Sequence, residues 1–179
     1  LVPILVIAAV TTVLYTPLIL RMPWPEWAPG LGLGLLPVLG AYFVITGTYT
    51  WAAVVAAVPS FLLVHNLLLL NEFPDIEADK TAGRRTSPIA MGRRPAAWLF
   101  SAFTVLVYVW VLGAAIAGVM PWFAMLGWLT LPLAYKAIRG ALVSEDLSRL
   151  VPGMAANVMV VLVTQLLIGI GYVLARVVG

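Results

Sequence analysis

No Asp, Glu, Lys or Arg stands between Glu26 and Glu72, and none between Arg94 and Lys136. Apolar runs of that length leave few folding options. A bilayer core about 30 Å thick takes roughly 20 apolar residues per helix and leaves no backbone N–H or C=O unpaired. A water-soluble fold of the same residues would need a polar coat, which 9% charged residues against 63% apolar ones do not supply. The chain therefore reads as an all-α, polytopic transmembrane helix bundle. Six stretches qualify as spans: 1–20, 26–46, 50–71, 96–118, 121–139 and 152–175. The second contains Pro29, Gly30, Gly32, Gly34, Pro37 and Gly40, which membrane helices tolerate better than soluble ones. Its small residues would let a neighbouring helix approach closely.

Six spans put three connections on one side of the membrane and two on the other. The three carry Arg21, then Lys80, Arg84, Arg85, Arg93 and Arg94, then Lys136, Arg139 and Arg149, nine of the ten cations. The turns near Gly47 and Gly118 carry none, and the tail has only Arg176. Short cytoplasmic loops are enriched in Lys and Arg, so the charged side is expected to be cytoplasmic; the membrane itself is expected to be a bacterial or archaeal plasma membrane. Both ends of the chain then lie outside. All seven acids, Glu26, Glu72, Asp75, Glu77, Asp79, Glu145 and Asp146, fall on the cytoplasmic side. Trp24, Trp27, Trp51, Trp98 and Trp122 sit near span ends, as an interfacial aromatic belt requires. Cysteine is absent, which removes disulfides and thiolate metal sites. The opening LVPILVIAAV has no basic region and no small-residue cleavage site, so it is not a signal peptide, and an odd number of further spans is expected upstream.

Four of the seven acids fall within NEFPDIEADK, directly after an apolar run. If the third span continues as a helix, Asn71, Asp75 and Asp79 share one face. If Pro74 instead opens a new short helix, Asp75 and Asp79 remain one turn apart. Carboxylates at that spacing, about 6 Å between Cβ atoms, repel unless a cation lies beside them. Such oxygens suit Mg²⁺, which keeps several waters and commonly bridges to phosphate. Lys80, Arg84 and Arg85 add the positive charge that a diphosphate needs. A solvated loop marking the membrane boundary is the competing reading, and spacing alone leaves both open.

The stretch NEFPDIEADKTAGRRTSPIAMG, Asn71 to Gly92, resembles the second aspartate-rich motif of the UbiA superfamily of intramembrane prenyltransferases. It is closest to the NxxxDIExDxxAGxRT form of the 1,4-dihydroxy-2-naphthoate prenyltransferase type. It departs from that form at Pro74 and in SPIAMG after Thr86. LYTP at Leu14 to Pro17, GLLPVLGAYFVITG at Gly34 to Gly47, and the segment from Leu150 to Ala175 are similar to the family's later helices. The resemblance implies that residues 1–179 form a single transmembrane domain, the C-terminal part of a longer one. The six spans would be helices four to nine of a nine-helix fold. It implies Mg²⁺-dependent transfer of a prenyl group from an allylic prenyl diphosphate to an aromatic, quinone-precursor acceptor.

By the same resemblance, Asp75 and Asp79 are the catalytic metal carboxylates and Asn71 is their oxygen-bearing helper. Lys80, Arg84 and Arg85 contact the diphosphate, with Tyr15, Arg21, Lys136 and Arg139 as further candidates. The family's first motif, NDxxDxxxD, has no counterpart here. The chain alone is therefore expected to transfer weakly or not at all until the N-terminal helices, on this or another polypeptide, complete the site. The implied partners are the two substrates and the bilayer, and no nucleic acid. The alternative is a non-catalytic or degenerate membrane subunit that keeps half of the site.

His65, Asn66, Asn157, Thr164 and Gln165 lie inside spans, where hydrogen bonding between helices is the expected role. Glu145 and Asp146 are expected to cap or flank the last helix. A transporter would place acids or broken helices at the bilayer midplane, and here every acid sits at one edge.

Overall fold

A bundle of apolar helices is what the long uncharged runs become. The computed structural model describes residues 1–143 and 147–178, and every regular element among the described residues is helical. Helix α1 spans Val2–Tyr15. Helix α2, Trp27–Thr46, is wound as a π-helix over Gly30–Leu35. Helix α3, Trp51–Asn71, starts on Thr50, whose hydroxyl accepts from the Ala53 N–H at 3.2 Å. Two short helices follow, α4 (Ile76–Thr81) and α5 (Ser87–Met91), then the long α6 (Arg93–Ile116). A 3₁₀ stretch, Trp122–Thr130, leads into α7 (Leu131–Val143), and α8 (Leu147–Val178) closes the chain. Glu145 and Asp146, expected to flank α8, lie outside the described residues.

Four helices are long and apolar enough to cross a membrane: Trp27–Thr46, Trp51–Asn71, Arg93–Ile116 and Ser148–Val178. The other two expected spans are helical but irregular. Helix α1 has 14 residues; Pro17, with no N–H to give, follows it, and a single 3₁₀ turn, Ile19–Arg21, comes next. The fifth is divided, with nine residues of 3₁₀ helix before thirteen of α-helix. At about 2.0 Å and 1.5 Å rise per residue these reach roughly 37 Å together, long enough for a hydrocarbon core.

Helix α3 is the centre of the bundle, packing against the π stretch of α2, against α6 and against α8. Small residues set the closest approaches. A Cβ on Gly34 would lie 2.6 Å from the Ser60 carbonyl oxygen, and one on Gly140 would lie 2.7 Å from Gly153 Cα.

The polar residues inside the spans tie helices together, as expected. Asn66 Nδ2 donates to Phe100 O and Thr104 Oγ1, both at 2.9 Å. Thr130 and Thr164 share a hydrogen bond at 2.7 Å, and Ser60 donates to Gln165 Oε1 at 2.6 Å. Asn157 Nδ2 donates to Asn66 O at 3.4 Å. The His65 ring lies 4.8 Å from that of Phe103 and 3.4 Å from Asn66 Oδ1. Each such bond in a membrane is worth about 0.6 to 2 kcal/mol.

Candidate functional site

Helix α3 ends at Asn71, and Glu72 to Asp75 form a turn. Pro74 sits in that turn, so the carboxylates ride on a new short helix rather than on an extension of α3. The Asp79 N–H donates to the Asp75 carbonyl at 2.8 Å, which fixes the two residues one turn apart. Asp75 is exposed and Asp79 is buried.

Past Thr81 the chain must reverse, and Gly83 at φ +72° supplies the left-handed residue that the reversal needs. The reversal returns Arg84 to the helix it has just left. Its N–H donates to the Asp79 carbonyl at 3.0 Å, and its Nη1 meets Asp79 Oδ1 at 2.8 Å. Lys80 pairs with Glu77 at 2.7 Å between exposed side chains. Arg85 is exposed, and its N–H donates to Leu20 O at 2.9 Å, which bonds the Ile19–Arg21 turn to this loop. Tyr15, at the end of α1, lies within electrostatic reach of Glu72, Glu26, Arg84 and Asp79. The structure thus gathers Asn71, Asp75, Asp79, Lys80, Arg84, Arg85, Tyr15 and the Arg21 turn at one edge of the bundle. Lys136 and Arg139 lie elsewhere, lining a groove with Arg149 between α7 and α8.

Glu26 was legible in the sequence only as a marker of sidedness, yet its side chain is fully buried. Its Oε1 accepts from the Ser87 N–H and its Oε2 from the Ser87 hydroxyl, both at 2.8 Å. That clamp joins the start of α2 to the far end of the aspartate loop. Glu72 lies against it. Burial, then a hydrogen bond to Glu26, then the charges of Glu26 and Asp79 push the Glu72 carboxyl up to about 11. Glu72 therefore keeps its proton at neutral pH. The signal that could have found the pair is an isolated acid, Pro25-Glu26-Trp27, placed directly before a long apolar run.

The donor set suits a hard divalent cation in part. Asp75 and Asp79 offer carboxylate oxygens one turn apart, and Glu72 Oε2 is buried without a hydrogen-bond partner. Among the described residues no three acids or histidines group closely enough to hold a metal by themselves. Two carboxylates match an ion that keeps its remaining positions for water and phosphate oxygens. Beside the site, a cavity of about 520 Å³ lies between α1, α2 and α3, with Tyr15, Thr16, Ala28 and Leu68 among its walls. Its Thr11 and Thr12 hydroxyls are already bonded to Ile7 O and Ala8 O, so that wall presents largely apolar surface.

A multi-pass helical membrane protein with a site for charge at one edge is the class that fold and site define. The chain belongs to the UbiA prenyltransferase family, which matches residues 1–151. It is 32% identical over 124 residues to the 1,4-dihydroxy-2-naphthoate octaprenyltransferase of Bacillus subtilis, covering 69% of this chain and 40% of that protein. It is 28% identical over 138 residues to the Haemophilus influenzae protein of the same name, covering 77% of this chain and 45% of that one. The matched segments thus span less than half the length of these relatives. No solved structure matches.

Proposed function

We propose that this chain forms the second half of the active site of an intramembrane prenyltransferase, one that moves a prenyl group from an allylic diphosphate to 1,4-dihydroxy-2-naphthoate or a similar aromatic acceptor. The observation that carries the reading is the Asp75–Asp79 pair, one turn apart on its own short helix, with Arg84 folded back onto it. Asp75 and Asp79, helped by Asn71, would hold Mg²⁺. When bound, the ion neutralises the charge that develops on the departing diphosphate.

The chain's own residues do the rest. Exposed Arg85, and Lys80 on release from Glu77, would meet diphosphate oxygens, while Arg84 holds Asp79. The Glu26–Ser87 clamp holds the end of the loop that carries both arginines. The apolar cavity beside Tyr15 suits the isoprenoid or the aromatic ring and excludes water from the reacting carbon. The remaining metal ligands are proposed to come from the family's first aspartate motif, outside this chain. A non-catalytic subunit is the second reading, and the incomplete donor set is what favours it.

The orientation proposed from the charge distribution places the aspartate loop in the cytoplasm; a cysteine at exposed Thr81 should label from that side alone. The functional test is Mg²⁺-dependent prenyl transfer by the complete gene product in nanodiscs. Transfer to the naphthoate supports the enzyme, and a folded protein that binds prenyl diphosphate without transfer supports the subunit. Robust turnover by the 179-residue chain alone would contradict the two-part site.

A further inference from the structure

We propose that the groove between α7 and α8 binds the phosphate headgroup of an anionic membrane lipid. Lys136 and Arg139 enter it from α7 and Arg149 from α8, around a space of about 380 Å³. Two helices can aim cations into one groove only if they run close together, and the Gly140–Gly153 contact brings them there. A Cβ on either glycine would come within 2.9 Å of the other's Cα.

The position of the groove points to lipid rather than to the prenyl-transfer site. Ala137 and Ala141 turn the opposite side of α7 inward, into the apolar cluster that contains Leu70, Phe73 and Leu150 at the root of the aspartate loop. The groove therefore lies at the same membrane edge as that loop, but on the outer side of α7. At 100° per residue Lys136, Arg139 and Val143 share that outer side. Tyr135 is 63% exposed, Val143 62% and Val151 53%, so apolar side chains flank the cations outward, as acyl chains below a headgroup would require. No ion pair among the described residues involves Lys136, Arg139 or Arg149. Arg139 lies over the Tyr135 ring at 5.9 Å, a contact that leaves its N–H groups to reach another acceptor. Glu145 and Asp146, in the connection between the helices, lie outside the described residues. Basic pockets between helix ends are the usual site of anionic headgroup recognition. The proposal does not depend on the prenyl-transfer reading.

The test uses the complete gene product in neutral detergent, titrated with dioleoyl phosphatidylglycerol or dioleoyl phosphatidylcholine and read by native mass spectrometry. Phosphatidylglycerol should be retained and phosphatidylcholine should not. Lys136→Gln, Arg139→Gln and Arg149→Gln combined should weaken phosphatidylglycerol binding by roughly tenfold or more. Arg94→Gln with Arg176→Gln should leave it unchanged. Millimolar inorganic phosphate should not displace the lipid; ready displacement would make the site one for soluble anions and overturn the proposal. Equal retention of both lipids, or unchanged binding by the triple variant, would overturn it too. If the triple variant fails to fold, a photoactivatable phosphatidylglycerol on the wild-type protein decides: crosslinks in peptides covering 135–143 and 149–153 support the site, and crosslinks confined elsewhere reject it.

Discussion

Two regions of this bundle bury polar side chains, and they differ in the charge that those side chains can carry. In the interior of the bundle Asn66 spends both amide hydrogens on α6, and Thr130 is bonded to Thr164 and Tyr108. Trp128 and Tyr172 leave a polar atom unpaired in the spans, but neither is an acid. At the membrane edge Glu72 lies within electrostatic reach of Glu26 and Asp79 and is held neutral, and Glu72 Oε2 and Thr86 Oγ1 have no partner. Satisfied groups hold helices in place. Buried acids near one another repel unless a cation or a proton offsets them, a cost that the neutral groups of the interior do not carry. The difference separates polar residues that bind helices to each other from the edge groups that we propose bind a metal ion and a diphosphate.

The largest expected effect tests the edge directly. In the complete enzyme Asp75→Asn or Asp79→Asn should cost more than about 2.7 kcal/mol of transition-state stabilisation, roughly a hundredfold in kcat/KM, because a metal ligand is lost where leaving-group charge develops. Glu77→Gln should cost far less, since Glu77 is exposed and paired with Lys80. Similar losses at all three positions would reduce the pair to ordinary surface charge.

Next comes the clamp. Glu26→Ala strands the Ser87 N–H and hydroxyl in a buried place and should lower stability by about 1–3 kcal/mol, measurable by thermal unfolding in detergent. It should also raise KM for the prenyl diphosphate about tenfold, because the loop bearing Arg84 and Arg85 loses its anchor. Glu26→Gln, whose amide can still bond both Ser87 atoms, should restore most of each. An unchanged KM in the alanine variant would mean that the loop is held without Glu26.

A smaller effect belongs to the interior. Asn66→Ala should cost about 1 kcal/mol of stability and leave kcat/KM of the folded fraction within a few-fold. A hundredfold loss of activity there would erase the distinction between the two regions.

A pH slope tests the edge in a second way. Glu72 ionises near 4.5 in the unfolded chain and is held neutral in the fold up to about 11. Its contribution to stability is therefore complete below the lower value and is lost as pH rises toward the upper one. Between pH 5 and pH 9 the wild-type unfolding temperature should fall more steeply than that of Glu72→Gln. Parallel slopes would show that Glu72 is ionised in the fold.

How much of this was legible in the sequence depended on the range of the interaction. Length and hydropathy are local, so the helical bundle could be read from the uncharged runs. The Asp75–Asp79 spacing is local too. Whether α3 would continue past Asn71 or stop was undecided, because Pro74 is compatible with a kink and with a fresh start. The structure has the fresh start. The 3₁₀ winding of Trp122–Thr130 could not be read, since hydropathy is the same for 3₁₀ and α. The Glu26–Ser87 clamp closes across 61 residues of chain, and no local pattern announces a partner that distant.

The central claim is that the edge carboxylates hold a divalent cation together with a diphosphate and that the interior polar residues do not. Mn²⁺ in place of Mg²⁺ makes this visible by electron paramagnetic resonance on the complete protein in nanodiscs, with and without geranylgeranyl diphosphate. We expect a bound Mn²⁺ signal that strengthens with the diphosphate, is lost in the combined Asp75→Asn, Asp79→Asn variant, and persists in Asn66→Ala. A bound signal that survives loss of both aspartates would contradict the account.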